Sequence, residues 1–161
     1  RLDSDSTDYL IREYDLDGII RTSVRKFSRE FILKKLTLDY KPVNYTVLTD
    51  EKWLTFVIEQ IISNAVKYTT EGSVRIYMNE PGILCIEDTG IGISAEDLPR
   101  IFENGYTGFN GREDKRASGI GLYLCKRITE NLGPTISAES QPGRGTTIIL
   151  DLTAARLVTD D

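Results

Sequence analysis

The sequence predicts an α/β two-layer sandwich: a mixed sheet of about five strands with about three helices on one face. Three observations carry the prediction. Stretches with apolar residues at helical spacing interleave with stretches that alternate apolar and polar residues. The alternating stretches come in neighbouring pairs joined by turns rich in Gly, Pro and Asn. The chain has 161 residues, 40% hydrophobic and 28% charged, the composition of one globular domain with a sizeable core.

In order along the chain, residues 9–35 read as a strand-like lead-in and a helix, with Ile20, Val24, Phe27 and Phe31 on one face. Leu36, Leu38 and Tyr40 alternate as a half-buried strand. Lys41-Pro42-Val43-Asn44 turns, and Tyr45 to Leu48 forms a short second strand. Asp50 is placed to cap a helix whose Leu54, Val57, Ile58, Ile61, Ile62, Ala65 and Val66 form a wide core-facing stripe. Val74, Ile76 and Met78 alternate as a strand, and Ile83 to Asp88 forms its partner across Asn79-Glu80-Pro81-Gly82. Ser94 with Asp97 three residues on reads as a capping box opening a helix that ends near Phe102. Residues 104–119 hold four glycines and five charges, a long connection of the kind that serves as a functional lid. A helix follows from about Ile120 to Leu132, stopped by Gly133-Pro134. Thr135 to Ser140 and Thr146 to Leu152 close the sheet, and the tail beyond Thr153 is expected to be loose.

Composition excludes much. There is no histidine, which removes serine and cysteine triads and histidine-ligated metals. The two cysteines, Cys85 and Cys125, sit in separate apolar runs and read as reduced core thiols. No apolar run is long enough to span a bilayer. The start, Arg1 to Asp8, is polar and lacks both a Met and the pattern of a signal peptide. A net charge of −5 argues against direct nucleic-acid binding, so an anionic ligand needs a local basic patch.

Four constellations carry candidate chemistry. Asp88-Thr89-Gly90-Ile91-Gly92-Ile93 puts a carboxylate at a strand end, where it can accept a hydrogen bond from an exocyclic amine such as adenine's. The plain alternative is a strand-end turn with a solvated aspartate. Ser118-Gly119-Ile120-Gly121-Leu122 opens a helix, and free N–H groups at such an end attract phosphate. It follows a loop carrying Arg112, Lys115 and Arg116, although Glu113 and Asp114 also allow a solvated charge run. On the Asp50 helix, Gln60, Asn64 and Lys67 share one side. An Asn amide oxygen suits magnesium, Lys67 can reach phosphate and Tyr68 can stack on a base. Gly143-Arg144-Gly145-Thr146-Thr147 is either a hairpin turn or the approach of a strand threonine to a purine edge.

Taken in order, these stretches resemble the N, G1, G2 and G3 boxes of histidine kinases within the Bergerat-fold (GHKL) ATPases. Asn64-Ala65-Val66-Lys67-Tyr68-Thr69 looks like the N box, and Ile101-Phe102-Glu103 lies where the F box falls. The resemblance covers about Asp15 to Leu152. It implies residues 1–14 as the remnant of a dimerisation and phosphoacceptor domain, 15–153 as the ATP-binding catalytic domain and 154–161 as a tail. It implies ATP and Mg2+ as ligands, with Asp88 on the adenine amine, Asn64 on magnesium and Lys67 on phosphate. Tyr68 would lie near the base and ribose, Gly90, Gly92 and Ile93 beside the ring, and Gly119, Ile120, Gly121 and Leu122 around the phosphates. Arg112 would neutralise the terminal phosphates and Thr147 would touch the adenine edge.

Hydrolysing members of the fold place a glutamate four residues before the metal-binding asparagine. Here that position is Gln60, whose amide is no general base. Glu59 is acidic but rotated by about 100° around the helix. The expectation is poor hydrolysis and transfer of the γ-phosphoryl to a histidine outside this chain, because such transfer rests on positioning and charge neutralisation. Asp8-Tyr9-Leu10, Val47-Leu48-Thr49-Asp50-Glu51-Lys52-Trp53-Leu54 and Glu59-Gln60-Ile61-Ile62-Ser63-Asn64-Ala65 further resemble the Gram-positive kinases that respond to peptide antibiotics. That implies a cytoplasmic domain of a membrane-anchored protein, working with a transporter complex and a DNA-binding response regulator. The rivals are a non-kinase ATPase of the same fold, an anti-sigma-factor serine kinase and, remotely, a retroviral-type aspartic protease using Asp88-Thr89-Gly90.

Overall fold

The computed structural model describes residues 8–106 and 121–154. Its centre is a five-stranded sheet of β2 (Thr37–Tyr40), β4 (Ser73–Glu80), β5 (Ile83–Asp88), β6 (Thr135–Gln141) and β7 (Gly145–Asp151), in the order β2-β4-β5-β7-β6. The β2–β4 pair is parallel and the other pairs are antiparallel, so the sheet is mixed as expected. A parallel pair needs a crossover, and here it contains β3 (Thr46–Thr49) and the long helix α3 (Glu51–Lys67).

Alternation along the strands sorts the side chains by face. Val74, Ile76, Leu84, Ile86, Ile136, Ile148 and Leu150 are buried in the main core cluster. With them are Leu16, Ile19 and Ile20 of α1 (Leu16–Arg25), the apolar stripe of α3, and Cys125, Ile128 and Leu132 of α4 (Gly121–Leu132). The opposite face carries a row in which Asp39, Arg75, Glu87, Thr147 and Glu139 lie side by side across all five strands. Arg75 pairs there with Asp39 and Glu87, each at 3.4 Å. Both cysteines are free and buried, and burial pushes the Cys125 thiol up to about 12.

Three expectations change. The single helix expected before β2 is two, α1 and α2 (Ser28–Lys34). The apolar period runs through the break at Phe27, whose ψ of 11° departs from helical geometry, so periodicity alone hides it. The Ser94 cap forms, its Oγ accepting from the Asp97 N–H at 3.1 Å. Only a 3-10 turn, Leu98–Arg100, follows it, because Pro99 offers no N–H to continue a helix. The strand at Thr46–Thr49 pairs with β1 (Arg12–Asp15) rather than joining the main sheet. Leu10 N–H donates to Asp50 Oδ2 at 2.7 Å, and Asn131 Nδ2 donates to Tyr9 Oη at 3.0 Å, tying the lead-in to α3 and α4.

Candidate functional site

Asp88 ends β5 on the helix-facing side, directly across from Thr146 of β7. Its Oδ1 accepts from the N–H groups of Gly90 at 2.9 Å and Thr146 at 3.2 Å. Oδ2 has no hydrogen-bond partner among the described residues. The residue is only 9% exposed. Burial pushes its carboxyl up to about 6, and the two backbone N–H groups oppose that rise. A carboxylate with one oxygen fixed and the other open is an oriented acceptor in a poorly hydrated place.

The loop after Asp88 is tied to both neighbouring elements. Ile91 N–H donates to Tyr68 O at 3.1 Å, joining the loop to the end of α3. Gly143 N–H donates to Ile91 O at 2.7 Å, and Ile93 N–H to Ser140 Oγ at 2.8 Å, joining it to the β6–β7 turn. The glycines were expected to let backbone approach a ligand ring. In the structure their side-chain directions are filled by protein. A Cβ on Gly90 would lie 2.2 Å from Tyr68 O, and one on Gly92 2.0 Å from Gln141 O. Gly92 also has a φ of +76°, which side chains rarely adopt.

The second cluster lies on α3. Gln60, Asn64 and Lys67 line one side of the helix, all half-buried. Lys67 Nζ sits 5.8 Å from the Tyr68 ring centroid. The Asn64 and Gln60 side-chain amides have no partner among the described residues. A Cβ on Gly121 would stand 2.7 Å from Gln60 Oε1, so the first turn of α4 rests against this face. Leu122 lies in that turn, half-buried. Among the described residues no group of three or more acidic or cysteine side chains could hold a metal unaided. The neutral amide oxygens of Gln60 and Asn64, on the α3 side where Gln60 meets the first turn of α4, instead fit a magnesium ion that arrives with phosphate oxygens supplying most of its shell.

Glu59 points away from this cluster, its Oε1 held by Lys26 Nζ at 3.1 Å. Arg112, Lys115, Arg116, Gly119 and Ile120, with residues 107–119 of the lid expected over 104–119, lie outside the described residues.

Thr147 is not on Asp88's side. It lies in register with Glu87 and Glu139 on the opposite face. A shallow cleft of about 440 Å³ at that end of the sheet is lined by these three residues together with Asp88, Ser140 and Thr146, and none of Asn64, Lys67 or Gly121 lines it. The strand threonine across from Asp88 is Thr146, one position before the expected Thr147.

Residues 49–156 match the family described as histidine kinase-, DNA gyrase B- and HSP90-like ATPases. The chain is 36% identical over 157 residues to the sensor histidine kinase YxdK of Bacillus subtilis, covering 92% of this chain and 47% of that protein. It is 38% identical over 154 residues to the sensor histidine kinase GraS of Staphylococcus haemolyticus, covering 93% and 45%. It thus spans about half the length of the curated relatives it matches. The catalytic domain of the histidine kinase ThkA superposes with a TM-score of 0.75 at 19% identity, over 90% of this chain and 96% of that one, which establishes likeness of fold.

Proposed function

Because the chain belongs to the histidine kinase-, DNA gyrase B- and HSP90-like ATPase family, with sensor histidine kinases among its relatives, we propose that it binds ATP and donates the γ-phosphoryl to a histidine on a dimerisation domain outside this chain. The observation that carries the reading is Asp88, buried at a strand end with one carboxylate oxygen fixed by two backbone N–H groups. The open oxygen accepts from the 6-amino group of adenine. Thr146 completes the base end in place of Thr147. Asn64 takes the magnesium that accompanies the phosphates, where the metal supplies charge neutralisation. Lys67 and the N-terminus of α4 at Gly121 and Leu122 receive phosphate oxygens, with Gly119, Ile120 and Arg112 expected beside them.

Hydrolysis is poor in this reading. Gln60 cannot act as a base, and Glu59 is engaged with Lys26. In the full-length protein the phosphoryl group passes on to a DNA-binding response regulator. The resemblance to peptide-antibiotic-responsive kinases adds a membrane anchor and a transporter complex. No helix among the described residues is long and apolar enough to cross a membrane.

The test is calorimetric titration of ATP and ADP, with and without Mg2+, into this chain and into Asp88→Asn. Binding that the substitution weakens by one to two decades, the effect of losing a charged hydrogen bond of roughly 1.5–3 kcal/mol, supports the assignment. Absence of binding to the folded wild type would sink it.

A further inference from the structure

Ser140 faces the same side of the sheet as Asp88, in the cross-strand row Asp88–Thr146–Ser140. Its hydroxyl has three neighbours. Gly145 O lies at 2.8 Å, the Ile93 N–H at 2.8 Å and Thr146 Oγ1 at 2.7 Å. Proton counting fixes the direction of each bond. A carbonyl oxygen only accepts, so the single Ser140 hydrogen goes to Gly145 O. A backbone N–H only donates, so it occupies one lone pair of Ser140 Oγ. The short contact to Thr146 Oγ1 still needs a hydrogen, and Thr146 alone can supply it. The Thr146 hydroxyl hydrogen is thereby committed to Ser140, and Thr146 Oγ1 retains lone pairs only.

Asp88 Oδ1 is also committed, to backbone N–H groups. The remaining polar side-chain atoms of this row, Asp88 Oδ2 and Thr146 Oγ1, are therefore both acceptors when the carboxylate is ionised. From this we infer that Ser140 is a specificity-determining positioning residue: by taking the Thr146 proton it makes the base end an all-acceptor surface that admits a 6-amino purine and rejects a 6-oxo purine. The inference rests on the adenine-nucleotide reading of the site and deepens it. Ser140 acts through Thr146 and needs no contact with the base. A 6-oxo purine presents a carbonyl where the amine should be, and two acceptors facing an acceptor leave buried polar groups unpaired. Without Ser140 the Thr146 hydroxyl is free to turn and donate to that carbonyl.

The experiment compares the dissociation constants of ATP and inosine triphosphate for this chain at pH 8, where the Asp88 carboxyl is ionised. Wild type is expected to prefer ATP strongly. In Ser140→Ala the preference should fall by about tenfold or more, roughly the effect of one hydrogen bond made or missing, mainly through tighter binding of inosine triphosphate. Ser140→Thr keeps a hydroxyl and should keep the wild-type ratio. Circular dichroism and a melting curve establish that each variant is folded. Should Ser140→Ala fail to fold, Thr146→Val keeps the backbone N–H on Asp88, removes the hydroxyl and should likewise narrow the ratio. A folded Ser140→Ala or Thr146→Val with an unchanged ratio overturns the inference while leaving ATP binding in place. Loss of the preference in both Ser140 variants assigns the effect to shape and overturns it too. Failure of wild type to bind ATP overturns the functional reading itself, a separate outcome.

Discussion

The two ends of the candidate site are built differently. At the base end Asp88, Gly90, Gly92, Ser140 and Thr146 are locked by backbone hydrogen bonds and close backbone contacts. At the phosphate end Gln60, Asn64 and Lys67 project from one helix, and a Cβ on Gly121 of α4 would meet only the tip of the flexible Gln60 side chain. Hydrogen-bonded backbone cannot shift without breaking several bonds, whereas a side chain on a helix changes rotamer cheaply. One end is therefore set by the fold and the other by residue identity. Substitutions should separate the two.

The largest effects belong to glycines at the base end. A Cβ on Gly145, where φ is +124°, would lie 1.9 Å from Asp88 O. Neither the carbonyl nor the turn can move without disturbing Asp88. Gly145→Ala and Gly92→Ala should each lower stability by about 3 kcal/mol or more, read as a fall in denaturation midpoint. Gly121→Ala meets only the end of Gln60, and alanine favours a helix, so its cost should stay below about 1 kcal/mol. Equal destabilisation by the three would erase the contrast.

Next comes the charge. The folded Asp88 carboxyl titrates at about 6, against 3.8 for a free one, with burial as the main cause. Between those values the folded chain keeps a proton that the unfolded chain has lost. Stability should therefore fall as pH rises through that window, by up to about 3 kcal/mol, and level off above it. ATP affinity should move the other way, rising as the carboxylate ionises near pH 6. Asp88→Asn should remove the stability slope and weaken ATP binding by roughly tenfold or more. Melting curves and titrations at pH 5, 6 and 7.5 check both, and parallel pH profiles for stability and binding would contradict the assignment.

The same contrast explains what was legible in the sequence. The sheet, α3 with its Asp50 cap and the Asp88 strand end were readable, because alternation and helical spacing record which face is buried. The break at Phe27 was not, since the apolar spacing crosses it and no Gly or Pro marks it. Ser94 supplied a true cap for a helix that Pro99 prevents. The β1–β3 pairing is a contact between segments distant in sequence, which no local pattern encodes. At the site, residue types were readable but facing was not. Thr147 and Thr146 are chemically alike, and only the cross-strand register with Asp88 tells them apart. The filled space behind Gly90 and Gly92 was likewise invisible, because a glycine looks the same whether it makes room for a ligand or for its own protein.

A smaller effect is expected at the phosphate end. Asn64 is half-buried and its amide has no partner among the described residues, so Asn64→Ala should leave the melting temperature within a few degrees of wild type. It should narrow the difference between ATP affinities measured with and without Mg2+, because magnesium favours oxygen ligands and one would be gone. An unchanged magnesium effect would remove Asn64 from the metal site and leave Gln60 as the amide to test.

The smallest effect should come from Glu59, the carboxylate nearest in sequence to a hydrolytic position. It is paired with Lys26, whose side chain is 63% exposed, so the ion pair contributes less than about 1 kcal/mol to stability. Geometry matters more than that energy. The pair draws the carboxylate toward the α1–α2 junction and away from the face shared by Gln60 and Asn64. Glu59→Gln should therefore leave ATP affinity within about twofold and the rate of phosphate release unchanged, since a group that activates no water leaves catalysis unchanged when removed. A clear fall in phosphate release would show that Glu59 leaves Lys26 and serves as a base. The phosphate end would then rearrange around its ligand, and the division between a fixed base end and an adjustable phosphate end would sharpen.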